Sequence, residues 1–138
     1  MRTKSCAFAF IAVLALLAAA PLFAHHGSAA YDLQKTISSK ATVTGLVWAN
    51  PHCLLSFDIK DAGGDVKHWN VEMYNPVYMT RAGWNRNLLK AGDEITITFH
   101  PAKNGTGNGF IRNGDGKINF NGKNLGLNDD ADSASASN

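Results

Sequence analysis

Cysteine is scarce in this 138-residue chain, which has two. Cys6 falls in an N-terminal leader and leaves Cys53 alone, which excludes an intramolecular disulfide. Cys6 also precedes the apolar stretch of that leader instead of following it, so it is not placed for lipidation. An excess of basic charge is missing as well. The formal net charge of +2 comes from Arg2 and Lys4, and without them 11 Lys and Arg face 11 Asp and Glu. A neutral domain lacks the basic patch that phosphate-backbone binding requires, which excludes nucleic acid as a partner. No second long apolar run follows the leader, so no transmembrane segment is predicted after its removal. Gly-x-Ser-x-Gly, phosphate-loop and Rossmann patterns are absent, and no paired carboxylates share a motif. These absences favour a binding module over an enzyme.

What is present begins with the leader. Arg2 and Lys4 precede an uncharged apolar region, and Pro21 stands shortly before Leu22-Phe23-Ala24. At roughly 14 apolar residues the stretch is shorter than the ~20 needed to span a bilayer, so it reads as a signal peptide over residues 1–24, with cleavage after Ala20 as the rival. The product is expected to be periplasmic or secreted, with His25-His26 at its new N-terminus. About 114 residues remain, enough for one domain with a modest core.

Residues 25–40 carry no clear periodicity and read as an N-terminal arm. Alternating apolar residues then predict strands over 41–48, with Val43, Gly45 and Val47 on one face, over 52–61 and over 66–74. Asn75-Pro76 gives a helix N-cap and first turn, and helical character is predicted to about Lys90 with an interruption at Gly83. A fourth strand is expected over 94–100, and two short ones over 110–113 and 117–120 as a hairpin about Gly114-Asp115-Gly116. Residues 128–138 hold Asp, Ser, Ala and Asn without core residues and read as a disordered tail. The fold class expected is therefore mainly β. Three strands, a helix and further strands follow the order of a small OB-like five-stranded barrel with its helix between strands 3 and 4, over residues 41–127.

The segments Ala24-His25-His26-Gly27, Trp48-Ala49-Asn50-Pro51-His52, Gly83-Trp84 with Lys90-Ala91-Gly92-Asp93, and His100-Pro101-Ala102-Lys103-Asn104-Gly105 occur in this order. Together they resemble the landmarks of a family of small exported bacterial proteins classed as a domain of unknown function. The resemblance runs from about Ala24 to Phe120, and it implies export and a small β domain without implying an activity. Gly27, where the family more often has Ser, and the Asn- and Gly-rich segment after Gly105 depart from the pattern.

Histidine carries the candidate chemistry. His52 begins strand 2 and His100 ends strand 4, and in an OB-like barrel the adjoining loops flank one binding face. Both are expected on the polar side of their strands, with the arm able to bring His25 and His26 to them, while His68 falls at the opposite pole. An N-terminal histidine offers an amine and an imidazole nitrogen in one chelate. With an imidazole from His52 or His100 it makes a planar nitrogen site suited to copper. His26, His52 and His100 around zinc are the alternative. Trp48 and Asn50 lie beside His52 as candidate ligand-binding residues, Trp48 being equally readable as core. Glu72 reads either as a ligand or acid/base group, or as a solvated carboxylate. Without a metal, the same face would take a small molecule, a glycan or a protein partner. Asn113-Gly114-Asp115-Gly116 looks like part of a calcium loop, but lacks the acidic first and twelfth ligands.

Overall fold

The structure, a computed structural model, describes residues 27–127. The predicted signal peptide, His25, His26 and the predicted tail lie outside the described residues. Strands β1 (Ile37–Val47), β2 (Leu54–Lys60), β3 (Val66–Glu72), β4 (Glu94–Pro101), β5 (Asn108–Phe110), β6 (Lys117–Phe120) and β7 (Lys123–Leu125) form one sheet, and helix α1 (Pro76–Arg81) lies between β3 and β4. β1 pairs with both β2 and β4, so β1, β2, β3, β5 and β4 close into a five-stranded barrel. β3 and β5 run parallel, and every other pairing is antiparallel. The expected fold class is the one observed: mainly β, with the helix between the third and fourth strands.

β1 reaches two partners because it is long. It starts at Ile37, inside the predicted arm, pairing with β4 up to Thr42 and with β2 from there to Val47. The register slips between Val43 and Gly45, where a β-bulge inserts a residue. An inserted residue inverts the side-chain phase beyond it. Ala41 and Val43 therefore point inward as expected, but Val47 is 52% exposed and Trp48 packs partly against the core.

The core holds Leu55, Phe57, Trp69, Val71, Ile97 and Phe99, the inward positions of β2, β3 and β4. Phe99 meets Phe57 and Trp69 edge to face at centroid distances of 5.5 and 4.8 Å, an arrangement that suits aromatic quadrupoles. Gly109 is the inward residue of β5. A Cβ there would stand 2.6 Å from Phe99 Cδ2 and 3.0 Å from the His100 carbonyl oxygen, so only glycine lets β5 lie flat over these rings.

α1 is a single short helix. Asn75 caps it by accepting from the Tyr78 amide at 2.9 Å. It stops at once in a Schellman turn, with Gly83 at φ +84°, its amide donating to the Thr80 carbonyl and the Trp84 amide to that of Met79. The helical character predicted to Lys90 is thus cut by Gly83, and Trp84 is buried instead, its Nε1 donating to the Gly126 carbonyl at 2.9 Å.

The last strands differ from expectation. β5 pairs with β3 and with the end of β4 at His100–Pro101, whereas β6 pairs with β4 at Ile95–Thr98, on the edge opposite β1, and forms its hairpin with β7. The hairpin turn is Asn121-Gly122, both at positive φ (51° and 77°), the dihedral signature of a two-residue turn that matches strand twist. Gly114-Asp115-Gly116 is therefore a loop between non-adjacent strands. Among the described residues no helix is long and apolar enough to cross a membrane.

Candidate functional site

The pairings Leu54↔Glu72, Glu72↔Phe110 and Phe110↔His100 place four outward residues in one row across β2, β3, β5 and β4. The loop from β1 to β2 closes over one end of this row. It contains the cis Asn50-Pro51 peptide. The Cys53 amide donates to the Tyr74 carbonyl at 3.0 Å and the Met73 amide to the Cys53 carbonyl at 2.9 Å, which fixes the loop's end against β3. His52 is thereby held above Glu72, and its Nδ1 is paired with Glu72 Oε1. It sits in the loop before β2, two positions ahead of the strand it was expected to begin.

Glu72 has a second partner. The Tyr31 hydroxyl donates to Oε2 at 2.8 Å, and the Tyr31 ring stacks on Phe110 at 5.4 Å. Phe110 in turn meets the edge of Tyr74, and Tyr74 packs on Tyr78 at 4.4 Å. Burial pushes the Tyr31 phenol up, and the adjacent Glu72 carboxylate pushes it the same way. Tyr31 is therefore a protonated donor, and one carboxylate bridges a phenol and an imidazole. Because a carboxylate only accepts, His52 donates to it from Nδ1, and its Nε2 has no partner among the described residues. The His52 side chain is 46% exposed. A carboxylate behind an imidazole whose far nitrogen is free is the outer-shell arrangement that orients metal-ligating or proton-transferring histidines.

The structure treats His100 differently. It points outward from the barrel as its strand phase predicts, yet it is 1% exposed. The segment before β1 and the loop after β5 cover it: Nδ1 lies 2.9 Å from the Lys35 carbonyl oxygen and Nε2 3.0 Å from Asp115 Oδ1. Both ring nitrogens are thus engaged. The expectation of His100 as an open ligand is corrected on this ground, because neither nitrogen is free. Asp115 also binds Arg112. That bond holds the Asp115 carboxyl below its usual range, and the His100 contact adds to the shift. With its carboxylate so engaged, Asp115 has no role in a calcium loop. Burial pushes the Cys53 thiol up, in keeping with an inert core residue.

The model of a family of unknown function, DUF6152, matches residues 12–112. This chain belongs to that family. The DUF6152 match takes in the closed barrel from β1 to β5, with Tyr31, His52, Glu72 and Phe110, and ends before Asp115 and the β6–β7 hairpin. No curated protein matches the chain.

Among the described residues of this DUF6152 chain, no group of three or more His, Cys, Asp or Glu side chains is placed to hold a metal ion. Of the predicted site residues, His52 and Glu72 are brought together and His100 is sequestered by other partners. His25 and His26 lie outside the described residues. Trp48 sits at the core margin, and Asn50 lines a shallow cleft of about 540 Å³ with Pro51, Asn75, Val77, Tyr78 and Arg81. His68 pairs instead with Asp58 across β2 and β3. Tyr31 and Phe110 were missed. Tyr31 stands in a segment without periodicity, and only its isolation there as a large amphipathic ring hints at a docking role.

Proposed function

We propose that this protein is an exported transition-metal-binding module, copper first and zinc second, in which His52 Nε2 joins nitrogen donors of the mature N-terminus. The observation that carries this reading is Glu72 on His52 Nδ1, which leaves Nε2 of a half-exposed ring available beside the point where the N-terminal segment meets the barrel. The segment's position adds support. Tyr31 is bound to the same carboxylate and lies six positions after His25, and six residues span at most about 20 Å. The amine and imidazole of His25, with His26, are then within range of His52. Three nitrogens in a plane suit Cu(II), and an added water or carboxylate oxygen suits zinc. His100 serves the site indirectly, by holding the Lys35 carbonyl and thus the root of the arm.

The second reading is a metal-free module that takes a small molecule, glycan or protein partner on the same face. Cross-strand neighbours Val47 and Leu54, 52% and 38% exposed, favour it. Titration of naturally matured protein with Cu(II), beside a form extended by one residue at the N-terminus, separates the two. Metal binding predicts one tight equivalent that the extension weakens at least tenfold. Partner binding predicts weak copper affinity indifferent to the extension.

A further inference from the structure

β1 changes partner in mid-strand, and a cleft opens where it does. Thr42 is the last β1 residue paired with β4 and the first paired with β2. Over Ile37–Ala41, β1 has no strand partner on the edge turned toward β2, although β2 runs on with β3 through Ile59 and Lys60. The two strands part like a fork. The cleft at the fork, about 580 Å³, is lined among others by Lys40, Asp58, Lys60, Val66 and Glu94, and its size falls in the range of small-ligand sites. Its charges are balanced and mostly uncommitted. Asp58 is held by His68, whereas Lys40, Lys60 and Glu94 are exposed and take part in none of the ion pairs among the described residues. Two ammonium groups and one carboxylate thus line a single cleft without neutralising one another.

We propose that this cleft binds a short zwitterionic peptide, about two residues long, with its carboxylate between Lys40 and Lys60 and its ammonium group on Glu94. A simple anion would be repelled by Glu94 and a simple cation by both lysines, whereas a ligand of both charges satisfies all three. The register sets its length. Thr42 pairs with Glu94 and Lys40 with Thr96, so Lys40 and Glu94 are offset by two positions along the strands, about 7 Å at ~3.4 Å per residue. An extended dipeptide separates its own termini by the same two-residue rise. Lys40 and Ala41, which line the cleft, also belong to the unpaired edge of β1, and an extended main chain pairs with such an edge as an added strand does. Val66, exposed at the wall, offers apolar surface to a side chain of the ligand. The site does not involve His52 or Glu72 and is independent of the metal-binding reading.

The test is titration of the naturally matured protein with alanyl-valine, followed by backbone amide chemical shifts, which report place and affinity together. N-acetyl-alanyl-valine, alanyl-valinamide and free alanine are titrated beside it. Saturable shifts are expected at Lys40, Thr42, Lys60 and Glu94. Blocking either terminus should weaken binding by up to about fivefold, the upper end for an exposed ion pair, and alanine, too short to reach both charges, should bind more weakly than the dipeptide. In Glu94→Gln the free and acetylated peptides should bind alike. In the double variant Lys40→Gln, Lys60→Gln the acid and the amide should bind alike. All three side chains are exposed, so these changes leave the fold intact. The proposal is overturned if no saturable shift reaches the cleft up to about 10 mM peptide, if blocked and free peptides bind the wild type equally, or if alanine binds as tightly as the dipeptide.

Discussion

Replacing Glu72 by Gln isolates the group on which the site depends. The side chain keeps its size and its place on β3, but one of its two acceptor oxygens becomes an NH₂ donor. In the native protein both oxygens are used, one by the Tyr31 hydroxyl and one by His52 Nδ1. Glutamine can accept from only one of them. If its oxygen serves Tyr31, its NH₂ faces His52 and favours the tautomer with Nε2 protonated, which weakens ligation by that nitrogen. If the oxygen serves His52, the phenol must rotate to accept, and the arm loses a charge-assisted bond. Hydrogen bonds to charged groups contribute about 1.5–3 kcal/mol. The Glu72 side chain is 28% exposed and that of His52 46%, so the lower end applies. About 1.5 kcal/mol corresponds to roughly tenfold in affinity, at the edge of the ~10–100-fold range for outer-shell partners. Chelator competition with Cu(II) and Zn(II) on matured protein reads this directly. Asp58→Asn, which removes the negative charge from the partner of exposed His68, is the control and should bind metal as the wild type does. Metal affinity within twofold of wild type in Glu72→Gln would refute the argument that the carboxylate orients His52.

Three further predictions concern the frame. The Asp115 carboxyl is held low by Arg112 and His100, so its contribution to stability is present above the usual carboxylate range and is lost as pH falls through its depressed folded value; urea melts from pH 6 down to pH 2 should lose stability less steeply in Asp115→Asn. Gly109→Ala drives a methyl group into Phe99, which should cost about 1–3 kcal/mol as overpacking and lower the urea midpoint without a change of slope. Gly83→Ala places a side chain at φ +84°, where the left-handed conformation costs roughly 1–2 kcal/mol, and thermal unfolding should report a fall of that size.

The barrel was legible because period-2 alternation in β2, β3 and β4 is strong and because Asn75-Pro76 marks a helix start by its own chemistry. Gly83 carried the helix stop as well, but the later apolar residues Leu88 and Leu89 imitated further turns. The inversion at Val47 could not be read in advance, since a bulge is a property of two paired strands and not of one. Asn121-Gly122 was a usable hairpin signal that Gly114-Asp115-Gly116 outcompeted by sequence alone, although the latter follows a strand whose partners are β3 and β4. At the site, strand phase placed His100 and Glu72 outward correctly. Phase gives direction from the barrel and says nothing of what lies above it. For His100 that was the Lys35 carbonyl and Asp115; for Glu72 it was Tyr31 and His52. Such coverings come from segments distant in sequence, with separations of 65 residues for Lys35 and 41 for Tyr31, which no local pattern encodes.

In the proposed function, His52 Nε2 is a ligand to a metal shared with the mature N-terminus. EPR of the Cu(II) complex of naturally matured protein, with one equivalent of copper added, tests it most directly when wild type, His52→Ala and His100→Gln are compared. One nitrogen ligand fewer is expected in His52→Ala, and an unchanged nitrogen count in His100→Gln. A tight copper complex whose spectrum is the same in wild type and His52→Ala would contradict it.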